Sequence, residues 1–149
     1  MKEEGHTVGN HTNTHRNMTV LDDLETFQKE LTDLEMLYSD LIGGTMSPYY
    51  RPPEGTFDER SLRYAEQLGY KTIFWSFAYA DWDNQNQPSP EAAKVKILNN
   101  LHNGAVILLH PTSETNALIL QDVIRECKAQ GYRFGTLDEL TADGNQATS

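Results

Sequence analysis

The sequence predicts an α/β fold with a mainly parallel sheet, and three observations support that prediction. Strand-like and helix-like segments alternate along the chain, as they must where each strand reaches a parallel neighbour through a crossover. Residues 21–41 place apolar side chains three and four positions apart, which is typical of an amphipathic helix. Residues 105–109 form a continuous apolar run, AVILL, which is typical of a strand covered on both faces.

The first half of the chain is expected to hold two strands and two helices in alternation, at residues 7–10, 21–41, 48–51 and 58–68. Thr19 is in position to cap the first helix, with Asp22 three residues later as in a capping box. Gly43 and Gly69 are expected to end the two helices, because glycine adopts the left-handed backbone conformation that commonly follows a helix.

The second half is expected to hold three strands, at residues 71–77, 105–109 and 132–136, and two helices, at 90–103 and 116–130. Ser89 is expected to cap the first of these helices, with Pro90 in its first turn and Gly104 just past its end. The pattern predicts one domain over residues 1–141 and a disordered polar tail at 142–149.

The composition excludes several classes of function. The 149 residues include 12 Lys and Arg against 22 Asp and Glu, which gives a net charge of −10. Nucleic acids and anionic membranes bind clustered basic residues, so neither is an expected partner. No apolar run approaches the roughly 20 residues that span a bilayer. The single cysteine, Cys127, excludes an internal disulfide and a cysteine-based zinc site.

Residue types suited to catalysis or metal binding follow four of the predicted strands. They are His11 and His15, Arg51, Asp81 and His110. Active sites of parallel α/β folds form at the carboxyl ends of the strands. The sequence therefore predicts one active site that collects these side chains.

The first motif is HTNTH, residues 11–15. If the segment turns helically, His11 and His15 lie on one face and share a metal ion, and zinc would then need a third protein ligand. The alternative is a polar turn with two solvated histidines.

The second motif is RPPEG, residues 51–55. Two prolines and a glycine make a rigid loop directly after a strand, which can present Arg51 inward and direct a backbone N–H at a developing oxyanion. The alternative is a stiff connecting loop with Arg51 on the surface.

The remaining motifs are Asp81-Trp82 and Leu108-Leu109-His110. An aspartate in this place can orient a histidine, and a histidine at the mouth of a buried strand can act as a general acid. Trp82 is a candidate for stacking on a sugar ring. The alternatives are a local backbone cap for Asp81, core or rim packing for Trp82 and a hydrogen-bonded structural histidine for His110.

Together, in this order, the four motifs resemble those of the polysaccharide deacetylase (NodB-homology) family, carbohydrate esterase family 4. The resemblance covers nearly the whole chain. The stretches FWSFAYADW and RPPEGTF are most similar to the branch of δ-lactam-biosynthetic or peptidoglycan N-acetylmuramic acid deacetylases.

The resemblance implies hydrolysis of an N-acetyl group on an amino sugar of a cell-wall or related glycan, assisted by a divalent metal ion, expected to be zinc. The implied roles are metal ligation by His11 and His15, orientation of the catalytic aspartate by Arg51, oxyanion binding by the backbone N–H of Glu54, and protonation of the leaving amine by His110 under the influence of Asp81. The full-length family members act outside the cytoplasm or at the cell wall.

The chain also departs from the family pattern. The Thr-Phe-Asp-Asp motif that supplies the catalytic base and an aspartate ligand is absent, and no Asp precedes His11. Gly5 occupies the position of a helix C-cap residue with almost no helix before it. We therefore expect an N-terminally truncated form of the family's (β/α)7 barrel without about its first two strands. Its unpaired edges would favour self-association, and its activity alone would be little or none.

Three functions remain open at this point. A carbohydrate deacetylase is favoured by the retention of all five strand-end residues. A non-catalytic glycan-binding or relic module is favoured by the missing first motif. A general metal-binding or structural module predicts that His110 and Arg51 do not face His11 and His15.

Overall fold

A computed structural model of the protein describes residues 2–142. The described part of the chain packs as two compact units that divide between Phe74 and Trp75. Of the predicted tail at 142–149, Ala142 is the last residue of a helix and the other residues lie outside the described part.

The first unit contains α1 (Leu24–Ile42), β1 (Tyr49–Tyr50), α2 (Glu59–Gln67) and β2 (Lys71–Thr72), with 3-10 turns at Lys2–Glu4, Met18–Val20 and Pro53–Gly55. The two strands pair in parallel, and Asn10 forms a further parallel bridge to Tyr50. At Gly9 a Cβ atom would lie 2.9 Å from the carbonyl oxygen of Tyr49, so only glycine permits this close approach to β1.

The core of the first unit lies between α1, α2 and the strands. Its buried members are Met18, Leu21, Phe27, Leu31, Tyr50 and Ala65. The helix α1 ends at Gly43 as predicted, but its N-cap is Asp23, which accepts a hydrogen bond from the Thr26 N–H. The prediction of Thr19 as the cap is wrong, because Thr19 lies inside a 3-10 turn that Asn17 caps. Leu37 and Leu41, expected on the inner face, are 48% and 72% exposed.

The second unit contains α3 (Pro90–Leu98), α4 (Glu114–Ala129) and α5 (Leu137–Ala142). The helices α3 and α4 pack on each other through Ala93, Ile97, Ile119, Val123 and Cys127. Ser89 and Ser113 cap these helices, so α4 begins two residues earlier than predicted. Within the described part of the chain, no helix is both long and apolar enough to cross a bilayer.

The predicted strands of the second half are much shorter in the structure. The segment at 71–77 pairs only at Lys71–Thr72 and, in the second unit, at a bridge between Phe77 and Ile107. The run at 105–109 is half-buried throughout, so the prediction that both of its faces are covered is wrong. Residues 132–136 form no strand with any described residue. Apolar composition predicts where a strand can form, but its length depends on partners that local sequence does not specify.

Candidate functional site

In the first unit the two histidines of HTNTH lie close together, but not because the segment is helical. Residues 11–15 form an irregular turn in which Thr12 and His15 have φ angles of 67° and 54°. The rings of His11 and His15 lie 4.9 Å apart, edge to face. The helical turn considered from the sequence is therefore wrong, although the turn that replaces it also brings the rings together. Left-handed backbone is costly for a β-branched residue such as Thr12, and such strain concentrates at functional sites.

Hydrogen bonds hold this turn in its left-handed conformation. The side-chain oxygen of Asn10 accepts from the Thr12 N–H at 2.9 Å, and the Thr12 hydroxyl accepts from the His15 N–H at 3.0 Å. Asn10 is fully buried and donates to the Leu31 carbonyl at 3.0 Å. The histidine turn is thereby fixed to the core through a buried amide.

Glu30 on α1 is a second anchor of the turn, which the sequence interpretation missed. The residue is 9% exposed, and its carboxylate accepts from the Thr14 N–H at 3.0 Å and the Thr14 hydroxyl at 2.9 Å. Its backbone carbonyl accepts from the Asn13 N–H at 2.9 Å. The available signal was position, because Glu30 lies three residues after Phe27 and beside Leu31, on the apolar face.

The orientation of His11 suits a metal ligand. Its Nδ1 atom donates to the Arg51 carbonyl at 2.7 Å, which places the ring proton on Nδ1 and the lone pair on Nε2. Histidine ligands of metals commonly donate their second ring N–H to such a carbonyl. Two imidazoles suit zinc, so His11 and His15 fit part of a zinc site. Among residues 2–142, however, no three His, Cys, Asp or Glu side chains form a group that could hold a metal ion.

The RPPEG loop has the backbone of a rigid turn. Glu54 and Gly55 have φ angles of 58° and 69°, and the N–H groups of Gly55 and Thr56 bond back to Pro52 and Pro53 at 3.1 Å each. Neither of these bonds uses the N–H of Glu54, and Glu54 is an exposed residue.

The Arg51 side chain is half-buried, and burial lowers the pKa of its guanidinium. Arginine remains charged in proteins in spite of such shifts. None of the ion pairs between residues of the described range includes Arg51. The structure thus gives a partly desolvated cation directly after β1.

In the second unit the structure brings Asp81 and His110 into direct contact. The Asp81 side chain is fully buried, and its Oδ1 accepts from His110 Nδ1 at 2.6 Å. Its Oδ2 accepts from the His110 backbone N–H at 2.7 Å. Burial acts to raise the pKa of Asp81, but the hydrogen bonds from His110 and Asn116 outweigh it, and the pKa is lowered. Asp81 is therefore a carboxylate that orients the ring of His110.

Asn116, in the first turn of α4, completes this cluster and was also missed from the sequence. Its Nδ2 donates to Asp81 Oδ2 at 2.6 Å and to the His110 carbonyl at 3.2 Å. The Tyr79 hydroxyl donates to the Oδ1 atom of the same Asn116 amide. The available signal for Asn116 was a polar residue at the start of a predicted helix, but a local cap explains such a residue equally well.

Trp82, which follows Asp81 in the chain, is 64% exposed.

Comparisons with known proteins agree with the motifs. A model of the polysaccharide deacetylase family matches residues 1–73. The chain is 38% identical over 140 residues to the peptidoglycan-N-acetylmuramic acid deacetylase PdaA of Bacillus subtilis, of the branch that the sequence predicted. It is 41% identical over 143 residues to an uncharacterized 30.6 kDa protein of Geobacillus stearothermophilus. The PdaA match covers 94% of the chain and 53% of that relative, and the Geobacillus match covers 96% and 54%, so the chain spans about half of their length.

Solved structures show the same relationship. The Bacillus subtilis PdaA structure, a family 4 carbohydrate esterase, matches with a TM-score of 0.91 at 36% identity, over 97% of this chain and 61% of that one. A family 4 pseudoenzyme from Bacillus anthracis, BA3943, matches with a TM-score of 0.78 at 28% identity, over 89% of this chain and 45% of that one. The mixture of helices and parallel strands agrees with the predicted partial barrel. The chain therefore belongs to the polysaccharide deacetylase family.

Proposed function

We propose that this chain carries part of the active site of a metal-dependent deacetylase that removes N-acetyl groups from amino sugars of bacterial peptidoglycan or a related polysaccharide. The observation that carries the proposal is the pair of Asp81 and His110, a buried carboxylate that orients an imidazole in a chain of this family. Such a pair can supply the proton that an amine leaving group needs. The proposed place of action, as for the peptidoglycan deacetylases it resembles, is outside the cytoplasm or at the cell wall.

His11 and His15 are the proposed ligands of a divalent metal ion, with zinc as the expected ion. The support is the ring separation of 4.9 Å and the hydrogen bond that leaves the lone pair of His11 on Nε2. When bound, zinc supplies Lewis-acid polarisation of the amide carbonyl and lowers the pKa of a bound water. Two histidines do not complete such a site, so we expect weak binding by this chain.

Arg51 and Glu54 are proposed to act on charge near the reacting amide. The backbone N–H of Glu54 would donate a hydrogen bond to the carbonyl oxygen as negative charge develops on it. Arg51 would hold the catalytic aspartate of the missing motif. No aspartate precedes His11 in these 149 residues, so we propose that the chain alone has little or no deacetylase activity.

His110 is the proposed general acid. In its imidazolium form it donates its Nε2 proton to the nitrogen of the breaking C–N bond, which leaves as an amine. Asp81 keeps the Nδ1 proton in place and stabilises the positive charge before the transfer. Trp82 is proposed to stack on a sugar ring of the substrate, which its exposure permits.

Self-association with a second copy is also proposed. The segment of Asn10 pairs with β1 on one side, and on its other side no described residue forms a strand with it. An unpaired strand edge is a template for pairing with another chain. Light scattering after size-exclusion chromatography should therefore show dimers that increase with protein concentration, whereas a monomer at all concentrations would refute this proposal.

A second candidate function is a non-catalytic glycan-binding or relic module. It is favoured by the match to the BA3943 pseudoenzyme together with the missing first motif. The two candidates differ in whether the residues of this chain can support hydrolysis once the missing part is supplied.

The decisive experiment is a chimera in which the part of PdaA that precedes the matched region is joined to this chain. We expect zinc-dependent release of acetate from N-acetylated peptidoglycan fragments, and its loss in the chimera with His110→Gln. The matched control is His102→Gln, because His102 is exposed and its Nδ1 donates to the carbonyl of its neighbour Asn103 at 3.0 Å. A folded chimera that binds the glycan without releasing acetate would favour the second candidate.

The 149-residue chain is assayed beside the chimera under the same conditions. We expect no acetate release from it with or without zinc. Metal-dependent hydrolysis by the chain alone would overturn the proposal that it lacks an essential group.

A further inference from the structure

We propose that Asn116 is a positioning residue that fixes the Asp81 carboxylate and, through it, the proton on Nδ1 of His110. The inference rests on the proposed function of His110 as general acid. The side chain of Asn116 acts through its neighbours, because its hydrogen bonds to described residues are with Asp81, Tyr79 and the His110 backbone.

The two protons of the Asn116 amide bridge the side chain and the backbone of the pair. One is donated to Asp81 Oδ2 at 2.6 Å and the other to the carbonyl oxygen of His110 at 3.2 Å. The carboxylate is therefore held at Oδ2 by Asn116 and by the His110 N–H. With Oδ2 fixed in this way, rotation of the carboxylate is restrained and Oδ1 faces His110 Nδ1.

The orientation of the Asn116 amide is itself determined by its neighbours. Two acceptors, the Asp81 carboxylate and the His110 carbonyl, lie on its Nδ2 side, and the Tyr79 hydroxyl donates to its Oδ1. A reversed amide would set oxygen against carboxylate oxygen in a buried site, where an unpaired polar contact is costly. Burial and the charge of Asp81 both raise the pKa of Tyr79, so its hydroxyl remains a donor.

The chemical consequence concerns which ring nitrogen of His110 faces the substrate. With the proton of Nδ1 bound to Asp81, the other nitrogen, Nε2, is the one that gives up a proton to the leaving amine. A carboxylate that loses a charge-assisted hydrogen bond reorients more readily, and the Nδ1–H bond then opens more often.

The test measures solvent exchange of the His110 Nδ1 proton by NMR in the 149-residue chain, with the signal assigned from its absence in His110→Gln. We expect Asn116→Leu, which keeps the side-chain volume nearly constant, to speed this exchange by about tenfold or more. No substrate or metal is present, so failure of this test and failure of the deacetylase proposal are distinguishable.

The matched control is Thr115→Val. Thr115 is the neighbouring buried polar residue of α4, and its hydroxyl donates to the Pro88 carbonyl at 3.0 Å, away from the pair. This variant should lose thermal stability but keep exchange within about twofold of the wild type. Equal acceleration in both variants, or unchanged exchange in a folded Asn116→Leu protein, would refute the positioning role.

If Asn116→Leu does not fold, Tyr79→Phe decides the question. It leaves the amide in place and removes the hydroxyl, one of the three groups that orient the amide. Exchange of the His110 proton should rise about threefold, because the amide then samples its reversed orientation more often. Unchanged exchange in Tyr79→Phe would overturn the proposal.

Discussion

The Nδ1 atom of His11 lies 2.7 Å from the backbone carbonyl oxygen of Arg51. This bond joins the HTNTH and RPPEG motifs, which lie 40 residues apart in the chain. It also explains why a rigid loop follows β1, since a carbonyl can select a histidine tautomer only if its own direction is fixed. The stiff RPPEG segment thus helps to prepare Nε2 of His11 for a metal ion.

The first prediction concerns zinc binding by the histidine turn. Calorimetric titration of the 149-residue chain should show weak binding of one zinc ion, because only two protein ligands are present. His11→Ala and His15→Ala should each lower the affinity by about tenfold or more, since removal even of residues that support a ligand typically costs 10- to 100-fold. His102→Ala is the control and should leave the affinity unchanged. Equal effects of all three substitutions would contradict the assignment.

The second prediction concerns Glu30. Glu30→Ala should lower the free energy of unfolding by about 1–3 kcal/mol, because two donors of Thr14 lose a buried charged acceptor. Glu66→Ala, an exposed glutamate on α2, should change it by less than about 0.5 kcal/mol. Urea unfolding measures both. Combination with Thr14→Val should be non-additive, and strict additivity would show that the two side chains are not coupled in solution.

The sequence predicted those features that depend on neighbouring residues. Ser89 with Pro90 marks the start of α3, and Gly43 the end of α1, because capping groups act within one turn of the helix. The cap predicted for α1 was Thr19, but the structure uses Asp23, because residues 18–20 form a separate 3-10 turn. Rules of this kind locate a helix but fix its terminal residues less well.

The features that sequence reasoning missed depend on distant partners. Glu30 is buried because Thr14 lies beside it, 16 residues away, and Asn116 because Asp81 does, 35 residues away. The left-handed backbone of Thr12 likewise depends on a buried amide and has no local signature. The pairing of His11 with His15 and of Asp81 with His110 agrees with what the sequence suggested, whereas the polar side chains that hold these pairs were not predicted.

The third prediction concerns the Tyr50 hydroxyl, which is buried and has no hydrogen-bond partner among the described residues. Tyr50→Phe removes this unsatisfied group and keeps the ring contacts with Phe27 and Tyr70. The free energy of unfolding of this variant should equal that of the wild type or exceed it by up to about 1 kcal/mol, because no hydrogen bond is lost. Tyr64→Phe, whose hydroxyl donates to the Asp22 carbonyl at 3.1 Å, is the control and should show no gain. A loss above about 1 kcal/mol in Tyr50→Phe would indicate a polar partner for this hydroxyl.

The fourth prediction concerns acid stability. The folded pKa of Asp81 is lowered, with burial opposing the shift and the bonds from His110 and Asn116 outweighing it. Such a group contributes stability that is complete above its unfolded pKa of about 3.9 and is lost as the pH falls through its lower folded pKa.

The variant Asp81→Asn tests this dependence. Its side chain offers one acceptor oxygen where three donors converge, so the substitution should lower the free energy of unfolding by about 1–3 kcal/mol at pH 7. Urea unfolding at several pH values should show this difference shrinking as the pH falls below about 4. The exposed Asp40→Asn should show a difference within about 0.5 kcal/mol throughout. A difference between the wild type and Asp81→Asn that grows toward acid pH would reverse the sign of the inferred shift.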